Sequence, residues 1–378
     1  MDDEVTRDQR ILLDTALSFI DRTCPVAKVR ERAYDDATFA DAYRRQAGEL
    51  GWYSLLVSED AGGGSVSDNG VEDAALVAYT RGRRLQPDPF VGTNVVAYAV
   101  ATQGNDEQRA KVLPSLLSGE AGGAWLIAGS SRPVLDGPVQ AQLSADAIHL
   151  SGRASFVQHP GPDGWLLVTA ATEAGPTQVL LPLNSPGVTL VPLDGLDVTR
   201  HFVEVRLDGV RLPSSAIVGE LGAAADLVAR QLAVASALTA AESVGAMDTD
   251  LATAVTYAKE RIAFGRPIGS FQAIKHLLAD TSLTLEMSKA VALAAARSVG
   301  TDEYGLESAS IAKALVGDCG IDLGQNCFQV FGGIGYTWEH DQHLYVRRIT
   351  TDASLYGDAA WHRERLCQLS GLAAEGSI

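Results

Sequence analysis

Positive charge is what this sequence is shortest of: 30 Lys and Arg stand against 47 Asp and Glu, a formal net charge of −17. Affinity for phosphate backbones comes from clustered Lys and Arg, so no nucleic-acid partner is expected, and any anionic cofactor must meet a local positive site. Cysteine is scarce as well. Cys24, Cys319, Cys327 and Cys367 show neither a CxxC nor a metal-type spacing, which argues against a disulfide framework and leaves reduced thiols packed in the interior as the expectation. Although 46% of the residues are hydrophobic, no run approaches the roughly 18 apolar residues of a membrane span. The opening Met1-Asp2-Asp3-Glu4 is acidic where a secretory leader is basic, and no apolar stretch follows. A cytoplasmic protein without membrane attachment is expected.

What is present divides into three. A chain of 378 residues is too long for one compact core, so two or three units are expected. Over residues 1–121 the pattern is helical, with Ile11, Leu12, Thr15, Phe19 and Ile20, and again Ala74, Leu76, Val77 and Tyr79, at three-to-four spacing, and Gly62-Gly63-Gly64 breaking the helices apart. Over 122–222 short alternating runs appear, Ala147 to Ser151, Trp165 to Val168, Gln178 to Leu181 and Phe202 to Leu207, separated by Gly, Pro and Asp. They predict a small β domain. Over 223–378 helical periodicity returns in long Ala-rich segments, Ala224 to Ala263, Gln272 to Gly300 and Ser308 to Phe331, of a length that packs as an antiparallel four-helix bundle. The fold class is therefore expected to be α+β.

Two segments carry chemistry. The first, Lys259-Glu260-Arg261-Ile262-Ala263-Phe264-Gly265-Arg266-Pro267-Ile268-Gly269-Ser270-Phe271-Gln272, reads on its own either as a helix–helix turn or as an Arg that pairs with a dinucleotide pyrophosphate. The second, Gln329-Val330-Phe331-Gly332-Gly333-Ile334-Gly335-Tyr336-Thr337, reads as a helix C-cap or as glycines that let backbone approach a nucleotide; no strand precedes it and the GxGxxG spacing fails, so it is not a Rossmann fingerprint. Glu339-His340-Asp341-Gln342-His343 lacks a defined third and fourth ligand and is read as a polar turn, with no metal assigned.

In this order and at this distance, the two segments resemble the C-terminal domain of acyl-CoA dehydrogenases, and Leu113 to Glu120 and Asp208 to Pro213 extend the resemblance over nearly the whole chain. It implies an acyl-CoA dehydrogenase-like fold with a β-barrel-like middle domain, FAD as cofactor, an acyl-CoA thioester as substrate and an electron-transfer flavoprotein as acceptor. In that family the matching segments of one subunit reach across a dimer interface to hold the ADP part of FAD, which assigns this role to Arg261, Phe264, Gln272, Gln329 and Gly333.

The family's chemistry takes an α-proton with a carboxylate and passes the β-hydrogen to the flavin as hydride; burial can bring a carboxylate's pKa towards the operating range. Counted without gaps from Phe331, the Glu position of the family's Tyr-Glu-Gly-Thr motif falls on Tyr356, and the alternative position, ten residues before Gly245, falls on Ala235. Neither is a base. Asp358 and Glu242 are the nearest acids, and a solvated or helix-stabilising role is expected for both. The flavin face departs from the family too: Lys-x-Trp-Ile-Thr-Asn is replaced by Arg153-Ala154-Ser155-Phe156-Val157-Gln158-His159, and Thr-Glu-Pro-Gly-x-Gly-Ser by Ile127-Ala128-Gly129-Ser130-Ser131. Such a pattern resembles the non-catalytic subunit of heteromeric α2β2-type members, working beside a homologous catalytic subunit. His343 to Arg348, Gly357-Asp358 and His362-Arg363-Glu364 further resemble paired actinobacterial members that act on steroid side-chain thioesters. Two alternatives stay open: a self-sufficient homo-oligomeric dehydrogenase using Asp358, and a flavin-free acyl-CoA-binding or scaffold protein.

Overall fold

A computed structural model describes residues 5–33, 39–127, 131–135, 137–144, 146–301 and 305–372. Its first part is helical: α1 (Arg7–Thr23), α2 (Val26–Glu31), α3 (Phe39–Glu49), α4 (Gly70–Gly82), α5 (Phe90–Gln103), α6 (Asp106–Lys111) and α7 (Leu113–Leu117). Thr6 opens α1 with a capping box, its hydroxyl accepting from Gln9 N–H and Gln9 returning the bond to the Thr6 backbone. Leu13, Phe19 and Ile20 form the buried stripe of α1, whereas Ile11 is exposed; the three-to-four spacing overextends the apolar face by that residue. Helices α4 and α5 are buried nearly all round, because other elements cover them on every side.

The middle part is an eight-stranded sheet, β1 (Gly123–Leu126), β2 (Val139–Leu143), β3 (Ala147–Gln158), β4 (Trp165–Thr172), β5 (Gly175–Pro182), β6 (Val188–Leu193), β7 (Phe202–Pro213) and β8 (Ile217–Val218). Its order is β6-β7-β3-β2-β4-β5-β8, with β1 added parallel to β4. Alternate residues such as Ile148, Leu150, Leu166, Val168, Val179, Leu181, Val205 and Leu207 give the sheet its own apolar core, separate from the helical one.

Three long helices follow: α8 (Ala225–Glu260), α9 (Gln272–Thr301) and α10 (Gly305–Phe331). Between α8 and α9, β9 (Ile262–Ala263) and β10 (Arg266–Pro267) form a two-stranded hairpin, and α11 (Gln342–Ser354) and α12 (Ala359–Leu369) close the chain. Where α4 crosses α8, glycine is obligatory. A Cβ at Gly82 would lie 1.9 Å from the Glu242 carbonyl oxygen, and one at Gly245 would lie 2.0 Å from that of Tyr79. This close crossing draws Glu242 into the interior.

Cys24 and Cys327 are buried as expected, but Cys319 is only partly covered and Cys367 is exposed; all four are free thiols. Interior packing thus holds for half of them, the last lying on the solvent side of a C-terminal helix. Among the described residues no helix is long and apolar enough to cross a membrane, and no group of three or more His, Cys, Asp or Glu is placed to hold a metal.

Candidate functional site

Around the turn between α11 and α12 the chain builds an interior cluster. Tyr356 adopts φ +58°, a costly conformation for a bulky residue that persists only where the surroundings enforce it. They do so here. His362 Nε2 donates to the Tyr356 carbonyl at 3.0 Å, and buried Lys313 donates to the carbonyls of Asp352, Ala353 and Gly357 at 2.6, 3.1 and 3.0 Å. Asp358 N–H donates to the Ser131 carbonyl at 2.8 Å. Desolvation pushes the Lys313 ammonium down to about 8, against the pull of Asp352, and pushes the His362 imidazole, with help from Lys313, down to about 3.

The Tyr356 ring stacks on Trp125, centroids 6.2 Å apart and planes 17° from parallel. Its phenol is driven up to about 12 by desolvation, with Arg200 opposing, which keeps it protonated and so unable to accept a proton at neutral pH. Beside it lies Phe156, also at positive φ (+59°), in a bulge of β3 between Ala154 and Val157. Gln158 lines the same space, its amide donating to the Pro87 carbonyl at 2.8 Å. The cavity among Gly92, Trp125, Phe156, Gln158 and Tyr356 measures about 30 Å³, and the next, among Phe90, Phe156, Phe202, Glu242 and Tyr356, about 20 Å³. Each has room for about one or two water molecules.

Behind this turn runs a network of buried charges. Arg200 meets Glu242 and Asp352, both at 2.6 Å, and Arg348 meets Asp197 at 2.6 Å and Glu242 at 3.1 Å while donating to Thr199 Oγ1 and the Leu85 carbonyl. Glu242 is only 2% exposed. The solvated role expected for it is therefore wrong, because the α4–α8 crossing buries it against two guanidiniums. Desolvation pulls Glu242 up, but Arg200, Arg348 and Arg81 outweigh it and leave the carboxyl lowered. Desolvation wins at Asp352, which rises to about 7 although Arg200 opposes. Asp358 has the other expected role: its carboxylate caps α12, accepting from Trp361 N–H at 2.8 Å. Ala235 is fully buried on α8. Sequence reasoning gave no role to Arg200, Asp197, Asp352 and Lys313 and took Arg348 only as part of a family-like segment; Lys313, a charge inside the mostly apolar α10, was an available signal.

At the outer ends of α8 and α10 the picture differs. Arg261 ends α8 and is exposed. The hairpin after it turns through Phe264 (φ +51°) and Gly265 (φ +77°), two positive values that match a type I′ turn, where Asn or Gly is usual. Phe264 stands 95% exposed at the tip. Gln272 starts α9 and Gln329 lies in the last turn of α10, both exposed. The two segments share one end of the bundle, since the Tyr257 ring, one turn before Arg261, packs 5.1 Å from the Phe331 ring, two residues after Gln329. A Cβ at Gly333 would meet nothing of this chain within 4 Å, and its φ is not positive. The chain's own fold thus gives no reason for glycine there. Tyr336, 78% exposed, and Trp338, 44% exposed, flank it. Ala128, Gly129 and Ser130 of the altered β-domain segment lie outside the described residues.

Family models of known proteins match both helical parts: "Acyl-CoA dehydrogenase, N-terminal domain" over residues 6–120 and "Acyl-CoA dehydrogenase, C-terminal domain" over 225–368. The chain is 32% identical to acyl-CoA dehydrogenase FadE34 of Mycobacterium tuberculosis, over 96% of its own length and 47% of that protein's, so it spans about half of that relative. It is 28% identical to acyl-CoA dehydrogenase IpdE2 of the same organism, over 92% of each. Among solved structures, one from the ChsE4-ChsE5 complex of Mycobacterium tuberculosis has the same fold, with a TM-score of 0.85 and 24% identity over 99% of this chain and 100% of that one.

Proposed function

This chain belongs to the acyl-CoA dehydrogenase family, and from that premise we propose that it is the non-catalytic subunit of a heteromeric FAD-dependent acyl-CoA dehydrogenase. On this reading it lends Arg261, Phe264, Gln272, Gln329 and Gly333 to FAD held chiefly by a homologous catalytic partner. One observation carries the proposal. Where the family keeps its base, Tyr356 stacks on Trp125 over cavities of about 30 and 20 Å³, whereas a site for a drug-sized ligand takes roughly 300 Å³ or more.

The residues suit the two halves of FAD unequally. For the ADP half, a cationic Arg261 and the uncrowded backbone at Gly332 and Gly333 offer charge-assisted and close backbone contacts to an anion from outside. For the isoalloxazine half, Phe156, Gln158, Trp125 and Tyr356 leave no slot, and Gln158 is spent on Pro87. When bound, FAD supplies the hydride acceptor for α,β-dehydrogenation of an acyl-CoA; no step of that reaction is assigned to this chain. Capping of α12 by Asp358 weighs against a self-sufficient enzyme, and the unexplained Gly333 weighs against a flavin-free scaffold. An electron-transfer flavoprotein as final acceptor and a steroid side-chain thioester as substrate are carried by resemblance alone. The name of the ChsE4-ChsE5 complex, which describes two paired chains, supports the heteromeric form.

The test is flavin content. Purified alone, the chain should carry little or no FAD and should not be reduced by any acyl-CoA; with its partner, the assembly should hold fewer than one flavin per chain. A yellow homo-oligomer with one flavin per chain, bleached by acyl-CoA, would sink the proposal.

A further inference from the structure

A cleft of about 690 Å³ lies elsewhere, between the segment 55–71, α5 and the facing parts of α8 and α9. It shares no lining residue with the two small cavities around Tyr356, and its volume falls within the range of small-molecule sites. Its lining is mixed: Leu55, Val71, Val234 and Val299, themselves buried, stand among Ser58, Ser65 and Thr301. Into this surface project two polar groups, the Tyr98 hydroxyl from α5 and the Arg230 guanidinium from α8.

Among the described residues Arg230 is tied down by one bond, Nη1 donating to the Val299 carbonyl at 3.1 Å near the end of α9. That bond fixes the guanidinium and leaves its remaining N–H groups for another acceptor. The Tyr98 hydroxyl has no hydrogen-bond partner among the described residues, whereas its carbonyl accepts from Thr102 Oγ1 at 2.8 Å. The two line the same cleft, where the guanidinium draws the phenol down against the desolvation that raises it. At the mouth stand Glu59 and Asp68, both exposed, with Asp68 at φ +61°.

We infer that this cleft binds an amphipathic monocarboxylate, its carboxylate on Arg230 and Tyr98 and its aliphatic body on Val71, Val234 and Val299. A guanidinium and a phenol lining one cleft can both donate to a carboxylate, and the apolar part of the lining removes the body from water. Glu59 and Asp68 act by exclusion: a polyanionic extension such as the phosphates of coenzyme A would meet two carboxylates on its way out. The ligand is thus a free acid and not its CoA thioester. This inference does not depend on the role proposed for the Tyr356 region.

The test uses the full chain and four probes of one length, octanoate, octanol, octylammonium and octanoyl-CoA, followed by titration calorimetry and ligand-observed NMR. Saturable binding of octanoate at one per chain is expected, with at least about tenfold weaker binding of the other three. Arg230→Gln should weaken octanoate at least about tenfold and leave octanol unchanged, as loss of a charge-assisted contact requires. Val234→Trp, which fills the cleft from its floor, should abolish octanoate binding while the chain's thermal transition shows that it remains folded. Octanoate that does not saturate by about 10 mM, a concentration at which even millimolar sites fill, would overturn the inference. So would equal affinity for octanol, octanoate binding indifferent to Arg230→Gln, or octanoyl-CoA binding as tightly as the free acid.

Discussion

Around Tyr356 and around Gly333 the same fold treats its chemistry in opposite ways. In the interior, charges answer charges of the same chain: Arg200 and Arg348 are shared among Glu242, Asp352 and Asp197, and Lys313 and His362 fasten the turn that carries Tyr356. On the outer end, Arg261, Gln272, Gln329 and Phe264 face outward, and Gly333 is open where the chain itself needs no glycine. A closed network specifies itself, whereas an open one specifies something external. Three of the five non-glycine residues at positive φ among the described residues, Phe156, Phe264 and Tyr356, sit in these two regions, so both carry backbone strain although their side-chain chemistry differs.

The comparison can be broken most forcefully from the inside. Arg348→Ala removes the close guanidinium of Asp197 and one of the two that hold Glu242, which keeps Arg200 at 2.6 Å, and removing one partner of a buried ion pair costs about 3–5 kcal/mol. Chemical denaturation should show a loss of that order; a loss under about 1 kcal/mol would mean that the network is not closed. At the outer end the expected effect is on the ligand alone. Arg261→Ala should leave the chain's own unfolding midpoint unchanged, since Arg261 is exposed, yet weaken FAD retention by the assembled complex about tenfold or more. Unchanged flavin content after dialysis would remove Arg261 from the cofactor.

Acid–base titration sharpens the inner half of the comparison. The folded pKa of Asp352 is raised from 3.8 to about 7, so its contribution is complete below pH 3.8 and is lost as pH rises through 7. That of His362 is lowered from 6.5 to about 3, so its contribution is complete above pH 6.5 and is lost as pH falls through 3. Between about pH 4 and 6.5 the two slopes oppose each other, each at most about 1.4 kcal/mol per pH unit. Asp352→Asn should therefore give a chain that weakens as pH falls from 6.5, and His362→Gln one that weakens as pH rises from 4. Parallel stability–pH curves for both variants would show that these groups are not titrating in the folded chain.

How far could these regions be read in advance? The long helices were legible because their Ala-rich periodicity needs no partner to be seen, and α8, α9 and α10 lie close to where that spacing predicts them. Four strands were legible from alternation; β1, β2, β6 and β8 were not, and in β1 the reason is that Gly123-Ala124-Trp125-Leu126 is buried along its length and carries no period-2 signal. The outward placement of Arg261 and Gln329 follows from motif spacing. Glu242 could not be read correctly, because its burial depends on Gly82 and Gly245 letting α4 and α8 touch, a contact between residues more than 150 positions apart in sequence. The Arg200–Asp352 pair is long-range in the same way.

The smallest expected effect tests the point where the two halves of the comparison meet. Asp358 is the acid nearest to the turn that carries the base elsewhere in the family, and an ungapped count from Phe331 can slip by a residue or two in a turn. Its geometry argues for capping: the carboxylate accepts from Trp361 N–H at 2.8 Å, and its own N–H is held by the Ser131 carbonyl. Asn caps about as well as Asp, so Asp358→Asn should shift stability by no more than about 0.5 kcal/mol, the usual range for a substitution that preserves its local role. Turnover of the assembled complex should stay within a few-fold. Asp358→Ala, which removes the cap, should cost about 1 kcal/mol and still leave turnover largely intact. Loss of a true α-proton base would lower the rate by about 10²–10⁴. If Asp358→Asn abolishes flavin reduction by acyl-CoA while FAD stays bound, the chain has its own active site, and the closed interior around Tyr356 has to open when substrate binds.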